Sequence, residues 1–142
     1  MPVRSAEAVW EGDLQDGKGT LRLGSGAFDG QYSFSSRFEE GTGTNPEELI
    51  GAAHAGCFSM ALAAALAREG HTPTRVQTTA RVKLEKVGDA MTITGSALEC
   101  EGEVPGIDEA TFLEFAENAK KNCIVSRALG AIEITLAARL VS

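Results

Sequence analysis

The side chains best suited to redox chemistry in this 142-residue sequence are its three cysteines, Cys57, Cys100 and Cys123. Their odd number and wide spacing fit neither a secreted disulfide scaffold nor a Cys-x-x-Cys metal or redox motif. The N-terminus lacks the basic stretch and apolar run of a signal peptide. We therefore expect a cytoplasmic protein whose thiols are reduced at rest and free to react.

Cys57 lies in the middle of an apolar segment that is predicted to form one long helix over 46–69. Asn45 and Glu48 have the spacing of a capping box at its start, and Gly70 follows its end. A free cysteine in such a helix is often a small buried hydrophobe, which is the alternative to a catalytic role. Because the thiolate is the nucleophile and apolar burial raises a thiol pKa, a reactive Cys57 needs a positive neighbour.

Arg37 and Glu47 are the charged residues that can meet this need. Arg37 lies in the alternating segment 32–38, which is predicted to be a strand bordering the core; a solvent-facing strand residue is the alternative. Glu47 shares a broad helix face with Cys57, and a guanidinium between them stabilises both carboxylate and thiolate. Since the two are about 15 Å apart along one helix axis, we hypothesise that Glu47 of one chain approaches Cys57 of another across a twofold axis.

Cys123 is predicted to lie near the start of a short helix, after Lys120 and Lys121. A helix N-terminus and nearby lysines both lower the pKa of a thiol. Cys123 can therefore condense with a sulfenic acid on Cys57 to form a disulfide, the alternative being a bystander thiol. Cys100 lies between two glutamates in a predicted strand, which disfavours a thiolate, so we do not expect it to be catalytic.

Other site chemistries find less support. His54 precedes Cys57 by three residues and is either the base partner of a nucleophilic cysteine or a satisfied core histidine. With two histidines and no Cys/His ligand spacing, no metal site is expected. The glycines show neither G-x-G-x-x-G nor P-loop spacing, so no nucleotide cofactor is predicted. The net charge of −7 argues against nucleic acid as a partner, because its phosphates require clustered basic residues.

The elements that must position these residues follow from the spacing of apolar residues. Strands are predicted at 6–10, 20–23, 32–38, 76–86, 91–103 and 132–140. A second helix begins at Asp108, and a short helix follows Cys123. This order predicts a single domain over 1–142 with an α+β fold and a mostly antiparallel sheet. The long helix is apolar on nearly every side, which favours burial in protein over a membrane span and, more specifically, packing against its twin in a homodimer.

Several motifs carry a family resemblance. The segment 43–62, GTNPEELIGAAHAGCFSMAL, resembles the signature of the osmotically inducible protein C (OsmC/Ohr) family of peroxide reductases. The sequences VPGID at 104–108 and EITL at 133–136 are similar to the family as well. WEGD at 10–13 and GKGT at 17–20 favour the OsmC branch over the Ohr branch. The resemblance spans essentially the whole chain.

The resemblance implies an intertwined homodimer in which antiparallel sheets wrap around two long central helices. It also implies antioxidant, thiol-dependent reduction of organic hydroperoxides, and less efficiently of hydrogen peroxide, with an external dithiol as reductant. Cys57 matches the peroxidatic cysteine, Cys123 the resolving cysteine, and Arg37 with Glu47 the pair that holds the thiolate. Candidates for an apolar substrate lining are Phe34, Phe38, Phe58 and Met60.

Two positions depart from the family pattern. Ile124 stands where the family commonly has proline, which restores a backbone N–H beside Cys123 and some backbone freedom. Gly56 stands where alanine is frequent. Two other functions would use the same residues: a thiol–disulfide redox sensor without peroxide turnover, and a non-catalytic dimeric protein that binds an apolar ligand. Neither explains why Arg37 and Glu47 accompany Cys57.

Overall fold

The computed structural model describes residues 2–142, which divide into two compact units. The first unit ends at Leu49, and the second runs from Ile50 to Ser142. The elements in chain order are β1 (Ala6–Glu11), β2 (Lys18–Leu23), β3 (Asp29–Tyr32), α1 (Phe34–Phe38), α2 (Pro46–Arg68), β4 (Arg75–Val87), β5 (Ala90–Glu103), α3 (Glu109–Asn122), α4 (Ile124–Ala128) and β6 (Glu133–Leu140). Each unit is built on its own three-stranded sheet, so the predicted α+β class is confirmed.

The sheet of the first unit is an antiparallel meander, β1-β2-β3. Its packing centre is Gly19, which pairs with Trp10 on one side and Tyr32 on the other. The two aromatic rings lie with their centroids 5.3 Å apart, and a Cβ at Gly19 would collide with both. A glycine is required here because the rings close over its backbone.

The prediction of a strand over 32–38 is wrong. Strand β3 ends at Tyr32, and α1 follows from Phe34 to Phe38. Ser33 begins this helix with a capping box: its Oγ accepts from the Ser36 N–H at 3.1 Å, and the Ser36 Oγ accepts from the Ser33 N–H at 2.8 Å. These local bonds outweigh the alternating pattern, which extends over too few residues to specify a strand. Arg37 consequently lies in the last turn of a helix.

Helix α2 begins at Pro46, as predicted, and ends at Arg68. The Asn45 Oδ1 accepts from the Glu48 N–H at 2.7 Å, which confirms Asn45 as the cap. The Glu48 carboxylate accepts instead from the Thr44 hydroxyl at 2.9 Å, so the second half of the predicted capping box is replaced by a side-chain bond. Gly70 has φ of +84° and ends the helix, in a conformation that favours glycine.

Helix α2 buries one face in the core of the second unit and exposes the other. Phe58, Leu62 and Leu66 are fully buried, whereas Met60 is 75% exposed. By length and composition alone, α2 is long and apolar enough to cross a membrane. Its buried face nevertheless packs among the strands and helices of this unit. The prediction that α2 is buried in protein is thus confirmed for one face of the helix within the single chain.

The second unit is a three-stranded sheet with α3 and α4 packed on it. Strands β4 and β5 form a long antiparallel hairpin that turns at Gly88, and β6 pairs in parallel with β5. Asp108 caps α3, as predicted, by accepting from the Thr111 N–H at 2.8 Å. Phe112 of α3 is fully buried and lies so close to Gly102 of β5 that a Cβ there would collide with its ring.

Replacing Phe112 by alanine tests this core. We expect Phe112→Ala to lower the free energy of unfolding by about 3–5 kcal/mol, because it removes a fully buried aromatic ring and leaves a cavity. The matched control is Leu113→Ala on the same helix, where the side chain is 40% exposed and the expected loss is about 1 kcal/mol or less. Urea unfolding measures both, and equal losses would contradict the assignment of Phe112 to the core.

Candidate active site

Arg37 and Glu47 form a bidentate ion pair in the first unit. The Arg37 Nε donates to Glu47 Oε1 at 3.0 Å, and the Arg37 Nη2 donates to Glu47 Oε2 at 2.8 Å. The Glu47 side chain is 8% exposed and that of Arg37 is 37% exposed. The hydrogen bond that Arg37 donates to Glu47 raises the pKa of Arg37 above its ordinary value, so the guanidinium stays charged. The structure thus brings together two of the predicted site residues.

The loop between α1 and α2 is fixed by polar bonds at both ends. The Ser36 hydroxyl donates to the Thr44 carbonyl at 2.7 Å, and the Asn45 amide donates to the Ser36 carbonyl at 3.0 Å. These bonds hold the last turn of α1 against the first turn of α2. Arg37 and Glu47 are therefore oriented by their helices, and their pairing does not depend on side-chain flexibility alone.

A pocket of about 230 Å³ in the first unit has Arg37 in its wall. Its lining residues are Trp10, Leu14, Tyr32, Ser33, Phe34, Arg37 and Phe38. Phe34 and Phe38 lie where the sequence predicted an apolar lining. Phe58, another member of the candidate set, is fully buried in the core of the second unit. The sequence analysis did not predict that Trp10, Leu14 and Tyr32 line this pocket. The available signal for Trp10 and Tyr32 was Gly19, which pairs with both.

Cys57 and Cys123 lie close enough in the second unit for each thiol to shift the pKa of the other, and both are free thiols. Cys57 is half-buried on α2, whereas Cys123 is buried and forms the N-cap of α4. The backbone N–H groups of Ile124 and Val125 also bond to the Cys57 thiol. The Ser126 N–H donates to Cys123 Sγ at 3.5 Å. The predicted pair of redox cysteines is therefore assembled at one helix N-terminus.

The two thiols differ in acidity. Burial raises the pKa of Cys57, the hydrogen bond to Cys123 raises it further, and the N–H groups of α4 oppose both only in part. Burial also acts to raise the pKa of Cys123, but the hydrogen bonds from Cys57 and Ser126 outweigh it and lower the pKa below its ordinary value. Within the described second unit, none of the groups that shift the pKa of Cys57 is a cation.

Two electrostatic expectations need revision. The helix N-terminus that acts on Cys57 belongs to α4, a contribution that spacing along α2 could not show. The lowered pKa of Cys123 arises from hydrogen bonds at the cap, whereas Lys120 is paired with Glu117 at 2.8 Å. The sequence located the helix start correctly but assigned part of the effect to the wrong groups.

Cys100 and His54 are both buried parts of the second unit. Burial raises the pKa of Cys100, which lies in β5 apart from the other two thiols and is only 2% exposed. Burial lowers the pKa of His54, so its imidazole is neutral. Its Nδ1 lies 2.7 Å from the Ser96 Oγ, and its Nε2 lies 2.8 Å from the Ser126 Oγ. His54 is thus a satisfied core histidine and not the direct base of Cys57.

A family model described as OsmC-like protein matches residues 39–137, which is more than half of the chain. The chain belongs to the OsmC family. The matched residues include Glu47 and both thiols, and Arg37 lies two residues before the match begins. The predicted membership is therefore confirmed.

Individual relatives refine this assignment. The chain is 53% identical to Peroxiredoxin OsmC of Escherichia coli (strain K12) over 134 residues, covering 94% of this chain and 93% of the relative. It is 33% identical to an organic hydroperoxide resistance protein of Xanthomonas axonopodis pv. citri, covering 68% and 67%. A crystal structure of an OsmC organic hydroperoxide resistance protein from Legionella pneumophila has a TM-score of 0.77 at 22% identity, over 99% of this chain and 100% of that chain. The OsmC-family chain is therefore a peroxidase-type redox enzyme.

Titrating the thiols singly tests their coupling. In a Cys100→Ala background, we expect Cys57→Ala to move the titration of Cys123 to higher pH, because the hydrogen bond that lowers its pKa is removed. We expect Cys123→Ala to move the titration of Cys57 to lower pH, because its bond to Cys123 raises its pKa. The ultraviolet absorbance of the thiolate measures both titrations. The Cys100→Ala protein contains both thiols and is the reference for their coupled titration. Shifts in the opposite directions would show that the two thiols do not share a proton.

Proposed function

We propose that this OsmC-family enzyme reduces organic hydroperoxides to alcohols, and hydrogen peroxide less efficiently, with Cys57 as the peroxidatic and Cys123 as the resolving cysteine. The observation that carries the proposal is the proximity of two free thiols at the N-terminus of α4, where Cys123 is the N-cap and each thiol shifts the pKa of the other. Two thiols in direct contact can form a disulfide with little movement of the backbone. The proposed setting is the cytoplasm, where dithiol reductants are available.

The proposed reaction has one oxidation by the hydroperoxide, one condensation that forms the disulfide, and one reduction by a dithiol. The Cys57 thiolate attacks the terminal oxygen of the hydroperoxide; an S–O bond forms, the O–O bond breaks, and the alkoxide takes up a proton and leaves as alcohol. The Cys123 thiolate then attacks the Cys57 sulfur; an S–S bond forms, the S–O bond breaks, and hydroxide takes up a proton and leaves as water. An external dithiol returns two electrons by thiol–disulfide exchange and is itself oxidised to a disulfide.

The N-terminus of α4 supports the first step from within the chain. The Ile124 and Val125 N–H groups bond to the Cys57 sulfur and favour its anionic form. The N–H of Ile124 exists because this position is not proline, so the departure from the family pattern adds a donor to Cys57. These donors do not lower the pKa of Cys57 below its ordinary value, and a positive side chain is still required.

In the proposal, Arg37 supplies this charge from a second copy of the chain, and Glu47 orients it. The pairing with Glu47 occupies the Nε and Nη2 of Arg37 and leaves Nη1 for a further anion. A homodimer is also favoured by the free face of α2, where Met60 is 75% exposed. The other exposed residues between positions 52 and 67 are small, which allows close approach of a twin helix; they are Ala52, Ala53, Gly56, Ala64 and Ala67. We propose that the two sheets wrap around the two central helices as an intertwined dimer.

The aromatic pocket beside Arg37 is the proposed site for the organic part of the hydroperoxide. Trp10, Leu14, Phe34 and Phe38 are among its lining residues and give it an apolar surface. Transfer of an alkyl or aryl group from water to such a surface is favourable by about 25 cal/mol per Å² of buried apolar area. Hydrogen peroxide gains nothing from this contact, which accounts for the proposed preference for organic substrates.

Mass spectrometry after one equivalent of cumene hydroperoxide tests the cysteine roles. We expect a disulfide between Cys57 and Cys123, with Cys100 still open to alkylation after unfolding. Cys123→Ser is expected to stop at a sulfenic acid on Cys57, and Cys57→Ser to remain unoxidised. Cys100→Ser is the matched control and should form the disulfide at the wild-type rate. Oxidation without repeated turnover on addition of a dithiol would favour the redox-sensor function instead.

Mixed dimers test whether Arg37 acts across the interface. Arg37→Ala is expected to slow oxidation of Cys57 by about 10- to 1,000-fold, since a nearby opposite charge shifts a pKa by about 1–3 units. Cys57→Ser is inactive. A dimer with one copy of each variant contains one complete site if Arg37 and Cys57 come from different chains, and we expect about half of the wild-type activity. If both residues act within one chain, mixing restores nothing.

Both mixtures are measured on heterodimers purified through a different tag on each chain. The control for a heterodimer with one functional Cys57 is Arg22→Ala, which removes an exposed arginine paired with Glu7. Dimers of this variant with Cys57→Ser should retain about half of the wild-type activity whichever chain supplies Arg37. Absence of restored activity in the Arg37→Ala mixture, together with this control result, would rule out the trans site.

A further inference from the structure

A chain of buried polar side chains runs from the sheet of the second unit to the resolving thiol. Ser96 on β5, His54 on α2 and Ser126 on α4 are all less than 5% exposed. The Ser96 Oγ lies 2.7 Å from the His54 Nδ1, and the Ser126 Oγ lies 2.8 Å from the His54 Nε2. Three polar side chains buried together in an apolar core are costly unless each is bonded. The proposed peroxidase steps use none of them.

Ser126 connects this chain to Cys123. It is the third residue of α4, and its N–H donates to Cys123 Sγ at 3.5 Å. Its side chain is also among the groups that lower the pKa of Cys123. His54 therefore reaches Cys123 through one intermediate residue, from a position on α2 three residues before Cys57. The imidazole ties β5, α2 and α4 together beside the thiol pair.

The direction of the hydrogen bonds follows from the number of available hydrogens. A serine hydroxyl has one hydrogen, and a neutral imidazole has one N–H. If the His54 Nε2 donates to the Ser126 Oγ, the Ser126 hydrogen is free to point at Cys123, and the Ser96 hydroxyl donates to Nδ1. A thiolate only accepts hydrogen bonds, so this tautomer is the one that matches an anionic Cys123. In the opposite tautomer, the Ser126 hydroxyl donates its one hydrogen to the His54 Nε2 and has none left for Cys123.

We infer that His54 is a positioning residue for the resolving step: acting through Ser126, it directs a hydroxyl donor at Cys123 and fixes the N-terminus of α4 against the peroxidatic cysteine. This inference rests on the resolving role proposed for Cys123. His54 transfers no proton to either thiol in this scheme. It favours the Cys123 thiolate, which attacks the Cys57 sulfur and displaces hydroxide.

The pH dependence of disulfide formation reports the pKa of Cys123, and the following groups surround that thiol. From α2 it faces the Cys57 thiol, and from α4 the Ser126 hydroxyl and the N–H groups of Ser126 and Val125. On α3, Lys120 is paired with Glu117. Loss of the Ser126 hydroxyl removes one donor and leaves the backbone N–H groups in place, so a change in the pH profile reports the side chain alone.

Rapid-quench measurements with one equivalent of cumene hydroperoxide separate the oxidation of Cys57 to a sulfenic acid from the formation of the disulfide with Cys123. In a Cys100→Ala background, mass spectrometry follows the sulfenic acid, trapped with dimedone, and the disulfide over a range of pH. We expect Ser126→Ala to slow disulfide formation about tenfold at neutral pH and to shift its midpoint upward by about one unit, because a charge-assisted bond is lost. Oxidation of Cys57 should change by less than about twofold, so the sulfenic acid accumulates.

His54→Phe keeps a ring of similar shape but removes both nitrogens, and we expect the same change in the second step. Because His54 acts through Ser126, the double variant His54→Phe/Ser126→Ala should be no slower than Ser126→Ala. Ser126→Thr restores the hydroxyl and should restore the rate. If His54→Phe does not fold, Ser96→Ala, which removes the partner of Nδ1, carries the same expectation in a milder form.

Leu66→Ala is the matched control, because it removes a fully buried side chain from α2 without touching the polar chain. It should lower stability and leave the rate and pH midpoint of disulfide formation unchanged. The inference is overturned if Ser126→Ala keeps the wild-type profile, or if Leu66→Ala shifts it equally. If the Cys100→Ala protein itself forms no Cys57–Cys123 disulfide, the proposed function fails and the inference fails with it. This result differs from failure of the inference alone, in which the disulfide forms and Ser126→Ala does not change its rate.

Discussion

The proximity of Cys57 and Cys123 is the constraint on which the proposed chemistry depends. Each thiol shifts the pKa of the other, so the acidity of the pair also depends on the groups around both. Helix α4 begins at this contact, and its first N–H groups point at the sulfurs. The position of one short helix therefore determines both the acidity of the thiols and their ability to form a disulfide.

Burial opposes this chemistry, and the second unit compensates for it only partly. Apolar surroundings penalise a thiolate, and the pKa of Cys57 stays raised despite two backbone donors. The first unit contains a guanidinium held by a buried carboxylate and bordered by aromatic rings. In the proposed dimer, this preformed charge completes the site, and Glu47 limits the entropy lost when Arg37 approaches the sulfur. The assembly would then be part of the catalytic apparatus.

The accuracy of the sequence-based predictions varied with the range of the interactions involved. Helix α2, the hairpin at Gly88 and the cap at Asp108 were predicted closely, because periodicity and capping residues act over a few positions. The segment that contains Arg37 was assigned to a strand, since alternation was visible and the Ser33–Ser36 capping box was overlooked. The candidate lining that included Phe58 could not be narrowed to particular phenylalanines, because sequence shows that a residue is apolar but not which apolar surface it contacts.

The sequence by itself determined the family, the α+β class and the identity of the residues able to do thiol chemistry, because these follow from local patterns and from a long motif around Cys57. Only the tertiary structure decided which groups touch. It showed that His54 bridges Ser96 and Ser126, residues 42 and 72 positions away in the chain, and that the N-terminus of α4 faces Cys57. Such contacts join distant parts of the chain, and they depend on how helices pack on a sheet, which no short pattern encodes.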